Sequence, residues 1–165
     1  MPQMAAHSPQ HWRASIVTRT VDLQIDHRNP TEDDGQALGS LMFDAYRGTI
    51  DERHKSVAEA VSHIGRYFAG DFGTPLLDCS HLAFEASRAI STTLVSIDQG
   101  DPLLAQVFTA PSHQNRGIAG ALIQLSMNAL AAKSVNVLNL IVTVGNEPAE
   151  HLYEKLDFQF VAQID

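Results

Sequence analysis

The run Val107-Phe108-Thr109-Ala110-Pro111-Ser112-His113-Gln114-Asn115-Arg116-Gly117-Ile118-Ala119-Gly120 is where residue types and spacing in this chain first point to chemistry. An apolar strand pattern ends at Thr109, Pro111 forces a turn, and a polar loop leads into a helix that starts near Gly117. Gly117, Ala119 and Gly120 carry almost no side chain, so a ligand can approach the backbone closely there. First-turn amides have no intrahelical acceptor and lie at the positive end of the helix dipole, which suits a pyrophosphate. An NAD-type dinucleotide loop is disfavoured, because GxGxxG would require glycine at Ala119 and Leu122. A Walker phosphate loop lacks its Gly-Lys-Ser/Thr ending. Taken alone, the loop reads equally well as an ordinary helix start with small residues for packing.

A second run spans Asn146, Ala149, Leu152, Tyr153, Lys155 and Phe158. Asn146 followed by Pro148 is helix-start chemistry in its own right. Tyr153 shares a helical face with Ala149, Leu152 and Leu156, so it also reads as a core aromatic whose hydroxyl finds a polar partner. The eight histidines are scattered without HExxH or comparable spacing, so no metal site is expected. His81 and Glu85 flank an expected strand and read as solvent-facing or structural groups.

The elements that must position these runs follow from periodicity. Residues 17–25 alternate apolar and polar side chains, as an edge strand does, and residues 1–15 read as a loose, flexible leader before a single domain over 16–165. Thr31 offers a cap with three acids behind it, and Ala37, Leu38, Leu41, Met42 and Ala45 form the stripe of a first helix to about Tyr46. Val57, Val61, Ile64 and Phe68 mark a second helix. Strands are expected over 82–86, 92–97 and 103–109, the last two joined as a hairpin by Asp98-Gln99-Gly100-Asp101-Pro102. A third helix follows from Ile118 to Ala132. Residues 137–144 then make an apolar strand buried on both faces, followed by a short fourth helix and a last strand over 158–164. Only the strand–helix–strand unit over 103–144 requires a parallel, right-handed crossover. The expected fold is a mixed, mostly antiparallel α/β sheet with helices on both faces. Its ligand belongs where the strand direction changes.

Composition bounds the rest. Apolar residues make up 44% and charged residues 18% of 165, a globular balance with room for one core. The net charge of −8 makes a general nucleic-acid partner improbable on electrostatic grounds, though one anion held by backbone amides is compatible with it. Cys79 is the only cysteine, so no internal disulfide is possible. Residues 1–15 have no apolar centre of a secretory signal, and the longest apolar stretch, over 135–144, is too short to span a bilayer. A cytoplasmic protein without a membrane partner is expected.

The hexad Gln114-x-x-Gly117-x-Ala119 resembles the coenzyme A signature of the GNAT superfamily of N-acyltransferases, Gln/Arg-x-x-Gly-x-Gly/Ala. Downstream, Asn146-x-x-Ala149-x-x-Leu152-Tyr153-x-Lys155-x-x-Phe158 resembles the family's Asn-x-x-Ala-x-x-Leu-Tyr-x-Lys-x-Gly-Phe run, with Asp157 in place of the glycine. Two signatures in order, one helix and one strand apart, make the resemblance specific over residues 103–158. It implies acetyl transfer from acetyl-CoA to the primary amine of a small molecule or peptide, by direct attack on the thioester. Cys79 is then not needed as a nucleophile, and no metal takes part. The resemblance further implies that Val107, Phe108 and Thr109 expose backbone to the pantetheine arm from a splayed strand. Gln114, Asn115, Arg116, Gly117, Ile118, Ala119 and Gly120 would hold the pyrophosphate, with Asn146 near the cofactor. Tyr153 would donate a proton to the departing thiolate. The acceptor wall is expected around Asp44, Tyr46 and Asp51. No acid precedes the hexad in its strand, so the base is not assigned, and a non-catalytic acyl-CoA-binding regulator is the alternative. Only seven residues follow Phe158, whereas the family ends on two strands. The sheet is therefore expected to be one strand short, or completed by another chain in a homodimer.

Overall fold

The computed structural model describes residues 8–164. Eight strands form one sheet: β1 (Pro9–Ser15), β2 (Asp26–Arg28), β3 (Thr74–Pro75), β4 (His81–Glu85), β5 (Arg88–Asp98), β6 (Asp101–Thr109), β7 (Val137–Thr143) and β8 (Gln159–Gln163). In space they run β2-β4-β5-β6-β7-β1-β8, with β3 attached to β5. The helices are α1 (Gly35–Tyr46), α2 (Val57–Phe68), α3 (Ile118–Ala132) and α4 (Glu147–Lys155). Every strand pair is antiparallel except β6–β7, which is parallel. This is the mixed α/β architecture the element order implied.

The β5–β6 hairpin forms where turn chemistry placed it. Gln99 and Gly100 both take positive φ, 51° and 85°, the backbone a tight two-residue hairpin loop requires. One apolar cluster joins Leu38, Met42, Ile64 and Tyr67 of α1 and α2 to the sheet, and another joins Ile123, Met127, Leu130 and Tyr153 of α3 and α4 to Trp12, Leu138 and Leu140. Helix α1 sits unusually close to α2 because Gly39 has no side chain: a Cβ there would lie 2.6 Å from Val61 Cα.

The expected loose leader over 1–15 is corrected by the structure. Pro9–Ser15 is strand β1, inserted between β7 and β8 and paired with both. Trp12 and Ala14 are buried in the second cluster, so burial of apolar side chains fixes a segment whose His, Pro and Gln content suggested a tail. Residues 1–7 lie outside the described residues. The expectation of a sheet short by one strand is corrected by the same observation. The chain's own β1 supplies the strand, and β8, exposed throughout, forms the edge.

Residues 17–25 are not a strand either. They form a strap whose start is held by side chains of α3, Gln124 Nε2 donating to Val17 O at 2.9 Å and Asn128 bonding both the N–H and the C=O of Arg19, and whose Leu23 and Ile25 pack against the first apolar cluster. The alternating pattern is satisfied by a helix face instead of a ladder. Strand β7 is buried at Leu138, Asn139, Leu140 and Val142, but Ile141 is 48% exposed, so its burial on both faces is incomplete.

Candidate functional site

The site begins with a fault in the sheet. Strands β6 and β7 share a single registered pair, Leu103 opposite Asn139, near the start of each strand. The buried Asn139 pins that closed end, donating through Nδ2 to Pro102 O at 3.0 Å and accepting from Arg13 Nε at 2.9 Å. Beyond it the β5–β6 register shifts, with Gln106 opposite Leu94 but Leu104 opposite Val95, which leaves Ala105 as the extra residue of a bulge. Leu104 and Phe108 would share a face in a regular strand, yet they pack into different apolar clusters, as a bulge between them requires. The bulge bends β6, and the two strands part toward their C-terminal ends.

Side chains from α1 and α4 close around the gap. Tyr46, the last residue of α1, donates its hydroxyl to Val107 O at 3.0 Å. The N–H and C=O of one strand residue point the same way, so the Val107 N–H also faces the gap and away from β5. The Phe108 side chain is buried, edge-on to Tyr46 with centroids 5.9 Å apart. Tyr153 of α4 packs edge-on to Phe158, and its hydroxyl has no hydrogen-bond partner among the described residues. Burial, and secondarily the Asp51 carboxylate, hold the Tyr153 phenol well above its ordinary range. Burial does the same to Tyr46, with smaller contributions from Tyr153 and Asp51.

Two cavities meet at this gap. The first, about 850 Å³, is lined by the backbone run Val107, Phe108 and Thr109, by Gln114, Asn115, Gly117, Ile118, Ala119 and Gly120, and by α4 up to Leu156. Gly117 precedes α3 with φ 77°, a left-handed conformation, and a Cβ there would meet nothing within 4 Å. The first intrahelical bond is Ala121 N–H to Gly117 O, and no side chain caps the helix. The amides of Ile118, Ala119 and Gly120 are therefore available to an anion in the groove, and the small residues leave it room. Gln114 braces the loop, donating to Thr109 O at 3.2 Å. Arg116 is exposed and does not line the groove.

The second cavity, about 600 Å³, lies on the other side of the gap and shares Tyr46, Val107, Ala149 and Tyr153 with the first. Asn146 lines this cavity and not the groove. It caps α4 through Ala149 N–H and donates through Nδ2 to Asp51 Oδ2 at 2.8 Å. Of the expected acceptor wall, Tyr46 and Asp51 line this cavity, while Asp44 turns outward to Arg47 and Arg88. Arg53, His54, His63 and Gln106 also line it, and sequence reasoning had not assigned them there. His63 and Gln106 contact through their Nε2 atoms at 3.1 Å, and His54 stands edge-on to His63 at 4.9 Å. Burial, then the neighbouring His54, Arg66 and Arg53, keep the His63 imidazole below its usual pKa. The one available signal was that His63 lies beside the buried Ala60–Tyr67 face of α2.

His81 and Glu85 line neither cavity. His81 packs against His27, and burial pushes it down to about 4, whereas Glu85 lies 3.2 Å from His113. Asp157 takes φ 67° after α4 and pairs with Arg19, so an acid fills the position of the customary glycine without disturbing the turn. Among the described residues no group of three His, Cys, Asp or Glu is placed to hold a metal, and no helix is long and apolar enough to cross a membrane.

Comparison with known proteins places this geometry. The model of the acetyltransferase (GNAT) family matches residues 66–158, more than half of the chain. No curated protein matches the sequence. Among solved structures, a GCN5-related N-acetyltransferase from Sphaerobacter thermophilus superimposes with a TM-score of 0.74 at 16% identity, over 96% of this chain and 50% of that one. This chain thus spans half the length of that relative. Diaminobutyrate acetyltransferase EctA from Paenibacillus lautus, solved with L-2,4-diaminobutyric acid and coenzyme A, gives 0.61 at 21% identity over 82% of this chain and 75% of that one. The PaiA N-acetyltransferase from Thermoplasma acidophilum, solved with coenzyme A, gives 0.61 at 17% identity, covering 81% and 89% respectively. At these identities the likeness is one of fold.

Proposed function

Because this chain belongs to the acetyltransferase (GNAT) family, we propose that it transfers the acetyl group of acetyl-CoA to a primary amine by direct attack on the thioester. One observation carries the reading: two cavities, one floored by uncapped helix amides and one lined by side chains, meet at a strand gap where Val107, Tyr46 and Tyr153 border both. Bound acetyl-CoA supplies the activated thioester. Gly117, Ile118, Ala119 and Gly120 hold its diphosphate, with Gln114 fixing the loop that carries them. The Val107 N–H is a fixed donor aimed into the gap, able to stabilise negative charge developing on the acyl oxygen. An ammonium first loses one proton to solvent. Then, as the nitrogen–carbon bond forms and the carbon–sulfur bond breaks, the nitrogen loses one more proton and the sulfur gains one, so the proton leaving nitrogen restores the donor that protonates the sulfur. Tyr153 keeps its proton in this buried site and is placed to give it to the sulfur. The acceptor enters through the second cavity, past Asn146 and Asp51. Cytoplasmic location fits a chain whose single cysteine, Cys79, is a buried free thiol pushed up to about 11 by burial.

Calorimetry with coenzyme A and acetyl-CoA, followed by thiol release with an amine panel, tests the proposal. Binding of both together with amine-dependent thiol release is expected. Binding without turnover against any amine identifies a non-catalytic acyl-CoA receptor, and absence of binding removes the proposal altogether.

A further inference from the structure

The second cavity contains opposite charges that do not neutralise each other. Its lining carries one carboxylate, Asp51, and one guanidinium, Arg53. They sit two residues apart on the α1–α2 link, yet form no ion pair with each other. Asp51 is anchored at the inner end: Asn146 holds its Oδ2, and its charge is felt by both Tyr46 and Tyr153 at the gap. No cation pairs with it among the described residues. Arg53 is exposed at the rim and has neither an ion pair nor a side-chain hydrogen bond among the described residues, although Arg19, Arg28, Arg47, Arg66 and Arg88 all have carboxylate partners. It lines the same cavity as Tyr46 and His63. The remaining titratable walls are imidazoles, His54 and His63. A long polycation would meet one carboxylate and then a guanidinium, and like charges brought together oppose binding.

We propose that the second cavity selects a primary amine bearing a carboxylate on the same small molecule, with Asp51 holding the ammonium at the strand gap and Arg53 holding the carboxylate at the rim. The planar fork of a guanidinium matches a carboxylate with two parallel donors, which gives orientation as well as charge. This assignment rests on the acetyl-transfer reading and adds the acceptor class to it. The net charge of −8 does not decide the acceptor, because the cavity itself carries both signs.

The experiment uses the full chain and matched acceptors: amino acids such as ornithine, lysine and histidine, each against the amine left when its carboxylate is removed. Thiol release gives kcat and KM for every pair, and calorimetry gives acetyl-CoA affinity separately. A preferred aminocarboxylate should exceed its matched amine in kcat/KM by about 10- to 100-fold, the worth of one charge-assisted contact. Arg53→Ala should raise KM for that aminocarboxylate by a similar factor with acetyl-CoA affinity retained, and should not weaken the matched amine, because a like charge has been removed. Arg53→Lys, which keeps the charge without the fork, should recover part of the loss. Equal use of the matched amines, an equal penalty on both by Arg53→Ala, or no aminocarboxylate accepted by a protein that binds acetyl-CoA, each overturns the assignment. Failure to bind acetyl-CoA is a different result: it removes the acetyl-transfer reading first, and the acceptor assignment with it.

Discussion

The two cavities on either side of the β6–β7 gap are built from different materials. The first offers backbone at its floor, the uncapped amides at the start of α3 and the strand run of β6, with polar side chains such as Gln114, Glu147, His151 and Lys155 around them. The second is a side-chain site, assembled from the α1–α2 link, β6, β7 and the head of α4. A backbone site recognises a constant chemical feature such as a diphosphate, and it asks of the sequence only that bulk be kept away. A side-chain site can change its acceptor by substitution without disturbing the fold. On the acetyl transfer proposed above, the groove would take the constant diphosphate and the cavity beyond it the individual acceptor.

Substitutions can break this division or sharpen it. The largest effect should come from Gly117→Val, because a β-branched residue is strained at φ 77° and its methyls would stand over the open amides. Acetyl-CoA affinity measured by calorimetry should fall by about 100-fold or more, while the thermal melt still shows a folded chain. Unchanged affinity would mean the groove is not held by these amides. Tyr153→Phe acts at the border: kcat should drop by about 100-fold with acetyl-CoA affinity retained, as loss of a proton donor predicts. If affinity fell and kcat did not, the hydroxyl would belong to binding.

A smaller and purely structural effect is expected at Gly39→Ala. The added methyl meets the Val61 backbone and should cost about 1–3 kcal/mol in urea unfolding. Because α1 and α2 carry the second cavity, the amine KM should suffer more than acetyl-CoA affinity.

The smallest effect concerns pH. His63 is held below the ordinary 6.5, so in the unfolded chain it takes up a proton before the folded chain does. Its contribution to stability is therefore complete above about pH 6.5 and is lost as pH falls toward its lower folded value. His63→Gln should flatten the decline of melting temperature in that window. An unaltered slope would show that this imidazole is no more buried than a surface one.

Local order was legible wherever one element supplied its own evidence. The periodic stripes of α1, α2 and α3, the hairpin at Gln99-Gly100 and the loop ahead of Gly117 depend on residues a few positions apart. Strand β1 was not legible: Pro9–Ser15 mixes Pro, Gln, His, Arg and Ser with Trp12 and Ala14, and is fixed by β7 and β8 on either side of it. Residues 17–25 misled for the related reason that alternation marks an extended chain without saying whether a ladder or a helix face will satisfy it. Within the site, Tyr153, the Gln114–Gly120 loop and Asn146 could be named from spacing; the cavity that Asn146 lines could not. Arg53 and His54 belong to the α1–α2 link and His63 to a helix face beside buried residues, with no spacing that announces them.

By itself, then, the sequence determined what near neighbours along the chain decide: which segments coil, where turns fall, and which helix start is bare of side chains. The tertiary structure alone decided what distant segments decide together. It set the N-terminal strand in place within the sheet, bent β6 at Ala105 so that it parts from β7, and brought Asp51 to Asn146 across the gap. Turn and helix preferences act over a few residues, whereas burial and strand pairing join residues that only the folded chain makes adjacent.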